Sequence, residues 1–381
     1  MSALNNPSIF AVESMKIVAD ENIPFAKWLF SEFGELTLLP GRDLSRDRVC
    51  DAEVLLVRSV TPVNANLLDG SRVAFVGTCT IGIDHLDAAY LNERGIVWHS
   101  APGCNAMGVV QYVVCALSAL GRLRSGLRVA VVGCGNVGGR VIRQLSALGM
   151  DCIGVDPHIE SADFPLGTVE SIYDCDVVCL HTPRVLDGSH PTEKLIDGRH
   201  LAKLKPGALL LNAGRGECID NEALLQHLKS GAELDVVLDV WAGEPNMNPD
   251  LHRLVKLGTP HIAGYSFEGR VNGSTMIFTE LARYLGRSEA WISARLDALH
   301  TQHFGAPEAL SAESLEESLR LSYDIAEDHR QLGAALATLP KSFDALRKQY
   351  PKRREFSHYR IGDVGRFAAE DVEKATALGL L

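Results

Sequence analysis

Apolar residues in this chain gather in short runs, each bounded by turn residues and followed by a stretch of helical spacing. Residues 16–20 (KIVAD), 53–59 (EVLLVRS) and 73–79 (VAFVGTC) are runs of strand length. Residues 24–34 (PFAKWLFSEFG) have helical spacing and end on glycine, a common helix stop. A second series starts at 127–133 (LRVAVVG) and continues through 151–156 (DCIGVD), 176–183 (DVVCLHTP), 207–214 (GALLLNAG) and 235–241 (DVVLDVW). Strands alternating with helices predict a parallel sheet covered on both faces. Between the series, residues 105–123 place apolar side chains at helical spacing and predict one long helix joining two lobes. After about residue 287, charged amphipathic segments replace the apolar runs.

The pattern predicts an α/β protein with two doubly wound parallel-sheet lobes, flavodoxin- or Rossmann-like, and a smaller α+β C-terminal domain. The expected divisions are 15–106 with 268–286 for the first lobe, 107–267 for the second and 287–381 for the third domain. Residues 1–14 are expected to be a loose extension, because a strand-like run begins at Met15. A chain of 381 residues exceeds one hydrophobic core, which fits several domains.

Composition narrows the chemistry. A net charge of −11 argues against a general polyanion binder, since nucleic acid needs a basic surface. The nine cysteines are odd in number, irregularly spaced and form no CxxC pair. That predicts neither a disulfide framework nor a zinc site, and suits a reducing cytoplasm. The first residues do not form a secretory signal, and no run approaches the roughly 18 apolar residues of a membrane span.

Residues 129–141 (VAVVGCGNVGGRV) contain Gly133-x-Gly135-x-x-Gly138 between an apolar strand and a helical segment. Asp156 ends the next strand, 18 residues after Gly138. Strand, glycines, helix and acid together form a dinucleotide fingerprint. Gly133 permits the tight turn, Gly135 lets a pyrophosphate approach the backbone, and Gly138 lets the helix pack close. The helix N-terminus offers amides and a positive dipole end to the phosphates. Asp156 suits the ribose hydroxyls and repels a 2′-phosphate, so NAD is expected over NADP.

Three later segments, 212–217 (NAGRGE), 239–245 (DVWAGEP) and 259–265 (TPHIAGY), supply Arg215, Glu244 and His261. Each follows an apolar or extended run, so all three can meet at the carboxyl edge of an open sheet. Their types suit oxidation of a 2-hydroxy acid. A histidine takes the hydroxyl proton, a carboxylate fixes its tautomer, and an arginine clamps the substrate carboxylate. Singly, each has a plainer reading: a surface ion pair for Arg215, a turn cap before Pro245 for Glu244, a packed core residue for His261.

These motifs resemble those of the D-2-hydroxyacid dehydrogenase family. Residues 15–24 (MKIVADENIP), 57–64 (VRSVTPVN), 75–87 (FVGTCTIGIDHLD), 101–113 (APGCNAMGVVQYV) and 260–270 (PHIAGYSFEGR) narrow the resemblance to one branch, from Met15 to the C-terminal domain. That branch uses NAD to oxidise a phosphorylated four-carbon 2-hydroxy acid in vitamin B6 biosynthesis. By motif position, the resemblance implies His261 as proton donor and acceptor, Glu244 as its partner and Arg215 as substrate clamp. It implies NAD contacts from Gly133, Gly135, Asn136, Val137, Gly138, Asp156, Thr182, Ala213, Gly214, Arg215, Asp239 and Gly264. Ser59, Thr80 and Tyr265 are implied to touch substrate; turn capping is the alternative for the first two. The resemblance also implies a homodimer through the C-terminal domain and no metal. Related dehydrogenases of 3-phosphoglycerate or hydroxypyruvate share the same three catalytic groups, and NAD-sensing corepressors share the same motifs without turnover.

Two C-terminal features stand apart. Residues 315–332 carry Leu315, Leu319, Leu321, Ile325 and Leu332 and predict one amphipathic helix. Residues 351–356 (PKRREF) are a basic cluster, read as a solvated turn or, alternatively, as an arginine source for a substrate phosphate.

Overall fold

The computed structural model describes residues 15–381, so the expected N-terminal extension lies outside the described residues. The described residues divide into two compact units: 15–105 with 268–305, and 106–267 with 306–381.

The first unit is built on a five-stranded parallel sheet of β1 (Lys16–Asp20), β2 (Glu35–Leu39), β3 (Val54–Val57), β4 (Phe75–Thr78) and β5 (Val97–His99), in the order 2-1-3-4-5. This is the flavodoxin-like order. Sequence patterning finds β1, β3 and β4, which are largely buried, and misses β2 and β5, whose residues are mostly half-buried or exposed. The helix expected over 24–34 shrinks to Ala26–Phe30. Its entry residue, Phe25, sits at φ 55, outside helical space. Helix Phe267–Tyr284 returns to this unit and brings Phe278 within 5.4 Å of Phe33, ring to ring. Helix Glu289–His303 follows it, with Trp291 stacked 5.8 Å from Phe278. The two compact units divide at 305/306 along this stretch, and Glu289–His303 belongs to the first of them.

The second unit holds a seven-stranded parallel sheet: β6 (Arg128–Val132), β7 (Asp151–Val155), β8 (Leu166–Gly167), β9 (Val177–Leu180), β10 (Ala208–Asn212), β11 (Leu234–Leu238) and β12 (Leu257–Gly258). Its order is 12-11-10-9-6-7-8. The direction reverses between β9 and β7 on either side of β6, which is a Rossmann switch point. Side chains alternate between faces, so Val129 and Val131 enter one core while Ala130 and Val132 enter the other. The first core is roofed by α1 (Ala106–Ala119), buried along most of its length, and by α2 (Gly138–Ala147).

The C-terminal part adds a two-stranded parallel sheet, β13 (Glu308–Leu310) with β14 (Tyr359–Ile361), and short helices. The single helix expected over 315–332 is two: α3 (Leu315–Ser322) and α4 (Ile325–Ala335). Tyr323 is extended, and the Asp324 carboxylate accepts from the N–H groups of Ala326 and Glu327, starting a new helix. The break turns Leu321 outward, 45% exposed, while Leu315, Leu319, Ile325 and Leu332 stay buried. These residues share their cores with the Rossmann sheet, and α5 (Lys341–Lys348) adds Phe343 to the same packing.

One join between these parts is acid-sensitive. His252 is 2% exposed and stacks on His329 of α4 at 4.7 Å. Burial, with the neighbouring His329 imidazole, pushes His252 from 6.5 down to about 4. The unfolded chain takes a proton at this residue below about 6.5, and the folded chain does so only near 4. Stability contributed by neutral His252 is therefore full above pH 6.5 and is lost on acidification towards 4. His252→Phe keeps the stack and removes the proton site. Its thermal midpoint should fall less steeply than that of the parent chain between these pH values.

Candidate active site

The glycine loop after β6 has the geometry expected of it. Gly133 sits at φ 82, and a Cβ there would meet the Thr182 backbone nitrogen at 2.9 Å. A Cβ on Gly138 would lie 1.8 Å from the Gly133 carbonyl oxygen, so only glycine lets α2 start this close to the strand. Gly135 differs, because a Cβ there would meet nothing within 4 Å. No protein atom demands glycine at 135, and the open space suits an approaching ligand backbone. Val137 precedes α2 without any side-chain cap, and the Gly139 and Arg140 N–H groups donate to the Gly135 and Val137 carbonyls at 2.9 Å each, closing the turn onto the loop itself. The Asp156 carboxylate is pinned beside this loop by the N–H groups of Cys134 (2.9 Å) and His158 (3.0 Å).

Thr182 faces the same loop from the end of β9. Its Oγ1 and both ring nitrogens of His181 are buried without a hydrogen-bond partner. Burial pushes His181 down to about 4, which keeps it neutral. Such orphaned polar atoms are costly unless a ligand meets them. Open space at Gly135, an uncapped helix start and unmet polar atoms together fit a dinucleotide. Cys134 is 5% exposed with its thiol pushed up to about 11, so it is no oxidation site.

The second half of the site lies in loops after β10, β11 and β12. Ala213 donates to the Leu180 carbonyl at 3.1 Å, and Gly214 donates to the Asn212 side chain at 3.0 Å. The Asn212 amide also holds the Arg215 carbonyl at 2.9 Å. A Cβ on Gly216 would stand 2.0 Å from the Trp241 carbonyl carbon, so the Arg215 loop presses on the loop that carries Glu244. Glu244 Oε2 accepts from the Trp241 N–H at 3.1 Å, and its Oε1 pairs with His261 Nδ1. Glu244 thus both caps its turn and orients the imidazole. Burial opposes ionisation of Glu244. The His261 charge and hydrogen bond, the Arg347 charge and the Trp241 N–H outweigh it and hold the carboxyl below its usual range.

His261 occupies left-handed space at φ 56, unusual for a histidine. Asp239, 1% exposed, holds that bend. Its carbonyl accepts from His261 N–H at 2.7 Å, and its carboxylate accepts from the Thr259 hydroxyl (2.7 Å), Ile262 N–H (2.7 Å) and Ala263 N–H (2.9 Å). Gly264 follows directly, and Tyr265 closes the turn with its N–H on the Ile262 carbonyl at 2.8 Å. Asp239 therefore organises the histidine loop, a role the motifs did not signal.

Ser59 and Thr80 belong to the first unit, each just past the carboxyl end of a strand. Ser59 is exposed, and Thr80 Oγ1 is hydrogen-bonded to Thr78 at 2.9 Å. Arg58 points away to the buried Asp20, at 3.0 Å. Among the described residues, no group of His, Cys, Asp or Glu is placed to hold a metal, and no helix is long and apolar enough to cross a membrane.

The basic cluster at 351–356 is not a solvated turn. Arg353, Arg354 and Glu355 are each less than 10% exposed. Arg353 donates to the Ala263 carbonyl and lies 4.3 Å over the Tyr323 ring. Glu355 accepts from the Ser266 hydroxyl at 2.6 Å, Phe267 donates to the Arg353 carbonyl at 2.7 Å, and Gln111 of α1 donates to the Arg354 carbonyl at 2.9 Å. The cluster is clamped onto the segment that follows His261. Arg353 also places a positive charge near Asp239 and near Asp328, which accepts from the hydroxyls of Tyr323 and Tyr350.

These loops, set on a Rossmann sheet, are the apparatus of the D-isomer specific 2-hydroxyacid dehydrogenases, whose NAD binding domain description matches residues 116–263. Residues 296–379 match a domain of unknown function, DUF3410. The chain belongs to the erythronate-4-phosphate dehydrogenase family. It is 53% identical over 352 residues to that enzyme of Saccharophagus degradans, covering 91% of this chain and 94% of the relative. It is 50% identical to that of Teredinibacter turnerae, covering 96% and 98%. Among solved structures, the TT0316 protein of Thermus thermophilus aligns with a TM-score of 0.61 at 26% identity, covering 72% of this chain and 98% of its own. An NAD-bound 3-phosphoglycerate dehydrogenase of Entamoeba histolytica shares the fold at a TM-score of 0.61 and 22% identity, covering 72% and 96%.

The clamp makes a prediction. Arg353→Met leaves the buried Ala263 carbonyl without its donor and removes a positive charge near Asp239 and Asp328, a change that costs about 1–3 kcal/mol. Urea unfolding should show a loss of this order, with turnover falling even where the protein remains folded.

Proposed function

We propose that this chain oxidises 4-phospho-D-erythronate at C2 to 2-oxo-3-hydroxy-4-phosphobutanoate, with NAD as hydride acceptor, in the route to vitamin B6. The observation that carries the reading is the His261–Glu244 pair, set at the carboxyl edge of a dinucleotide-binding sheet beside the Arg215 loop.

With Nδ1 held by Glu244, the Nε2 of His261 is the nitrogen left for proton exchange. It takes the C2 hydroxyl proton as the carbonyl forms, and Glu244 stabilises the resulting imidazolium. Arg215 holds the substrate carboxylate and, in the reverse direction, polarises the C2 carbonyl. NAD, when bound, accepts the hydride from C2. Gly133, Gly135, Asn136, Val137, Gly138 and Asp156 would hold its adenosine and pyrophosphate. Thr182, Ala213, Gly214, Arg215, Asp239 and Gly264 would line its nicotinamide end. Ser59, Thr80 and Tyr265 would contact substrate through their hydroxyls. Residues 15–106 with 268–286 would serve as the substrate lobe, and the C-terminal region would make the chain a homodimer. The absence of a membrane-length apolar helix among the described residues is compatible with a cytoplasmic enzyme.

Purified protein should form NADH with 4-phospho-D-erythronate in clear preference to 3-phosphoglycerate, D-glycerate and D-lactate. His261→Asn should lower kcat about a thousandfold, as loss of a general base does, with NAD affinity retained. Equal rates across the panel, or full activity in the variant, would overturn the reading.

A further inference from the structure

Arg347 carries a charge that the reaction outlined above leaves unused. It lies near the end of α5, in the C-terminal part of the second unit. Its guanidinium carbon stands 5.4 Å from the centre of the Tyr265 ring, and Tyr265 is four residues past His261. Its charge also reaches Glu244, the partner of that histidine.

The other arginines of this region are differently employed. Arg353 faces inward to the Ala263 carbonyl, Arg330 pairs with Glu327, and Arg366 pairs with Glu313. Arg347 makes no salt bridge among the described residues, and its Nε is buried without a hydrogen-bond partner. A guanidinium stacked on an aromatic face is fixed in orientation while its N–H edges stay available. Those edges match the oxygens of a phosphate, to which arginine binds in paired hydrogen bonds. A half-buried arginine that senses Glu244 only at a distance, with no salt-bridge contact and an unmet Nε, is ready for an anion brought by a ligand.

The substrate supplies it. A phosphorylated 2-hydroxy acid has two anionic ends, and Arg215 serves only the carboxylate at the reacting carbon. We propose that Arg347, braced on Tyr265, binds the terminal phosphate and so sets the preference of this site for a phosphorylated 2-hydroxy acid. This rests on the function proposed above. It gives the C-terminal region a part in substrate selection, through a residue on the same unit as the catalytic histidine.

The test compares kcat/KM for 4-phospho-D-erythronate and D-erythronate in the parent chain, Arg347→Gln and Arg347→Lys. Circular dichroism and NAD affinity report on folding. If D-erythronate turnover is below detection, its inhibition constant against the phosphorylated acid supplies the comparison. The preference for the phosphorylated acid should fall roughly 30- to 100-fold in Arg347→Gln, the size of a lost charged hydrogen-bonding partner, chiefly through KM. Arg347→Lys should fall between, since it keeps charge without the planar fork. An unchanged preference in folded Arg347→Gln, or equal losses on both acids, would overturn the assignment while leaving the proposed function intact. A parent chain inactive on 4-phospho-D-erythronate would remove both.

Discussion

Asp239 takes a carboxylate into the interior, and the order of the catalytic edge depends on how that charge is satisfied. An unpaired buried carboxylate is costly enough to be neutralised or expelled. Here three donors meet it, all from residues 259–263, and the Arg353 charge lies nearby. Satisfying Asp239 bends the chain at His261 into left-handed space and presents the imidazole to Glu244. The Tyr112 hydroxyl, 2.8 Å from Thr259 Oγ1, ties the same network to α1. Loop, helix and C-terminal segment are thus held by one set of buried polar contacts, which tolerates little slack because each unmet group carries a desolvation cost.

This arrangement explains why the C-terminal part is packed where it is. It shares both hydrophobic cores with the Rossmann sheet, and its buried arginine braces the carbonyl two residues past His261. A separate appendage would leave Ala263 and Asp239 without that support. The same packing places α5 beside Tyr265, with the Arg347 guanidinium 5.4 Å from its ring centre.

The geometry of the glycine loop was legible because its constraints are local. Gly133 and Gly138 must be glycine for the backbone to fit, and Asp156 is set by the length of one helix and one strand. The apolar strands were legible for the same reason, since a strand buried on both faces has no polar position to confuse it. The failures were also physical. β2 and β5 lie largely open and lack that pattern, and the helix expected over 315–332 hid a break that one aspartate cap creates. The cluster at 351–356 looked solvated because charge ordinarily stays in water, and only its partners make burial affordable.

The sequence alone determined the parallel-sheet class, the dinucleotide loop and the set of residue types from which a proton carrier, its partner and an anion clamp are drawn. Spacing over some 20 residues carries that information, because strands, turns and helix starts obey short-range sterics and periodicity. The tertiary structure decided the rest: that Asp239 governs the histidine loop, that Arg353 reaches Ala263 across 90 residues of chain, and that Arg347 stands over Tyr265. Contacts of this kind leave no periodic trace. They exist only once the hydrophobic cores have fixed which distant segments meet, and only then does a buried charge have a defined partner.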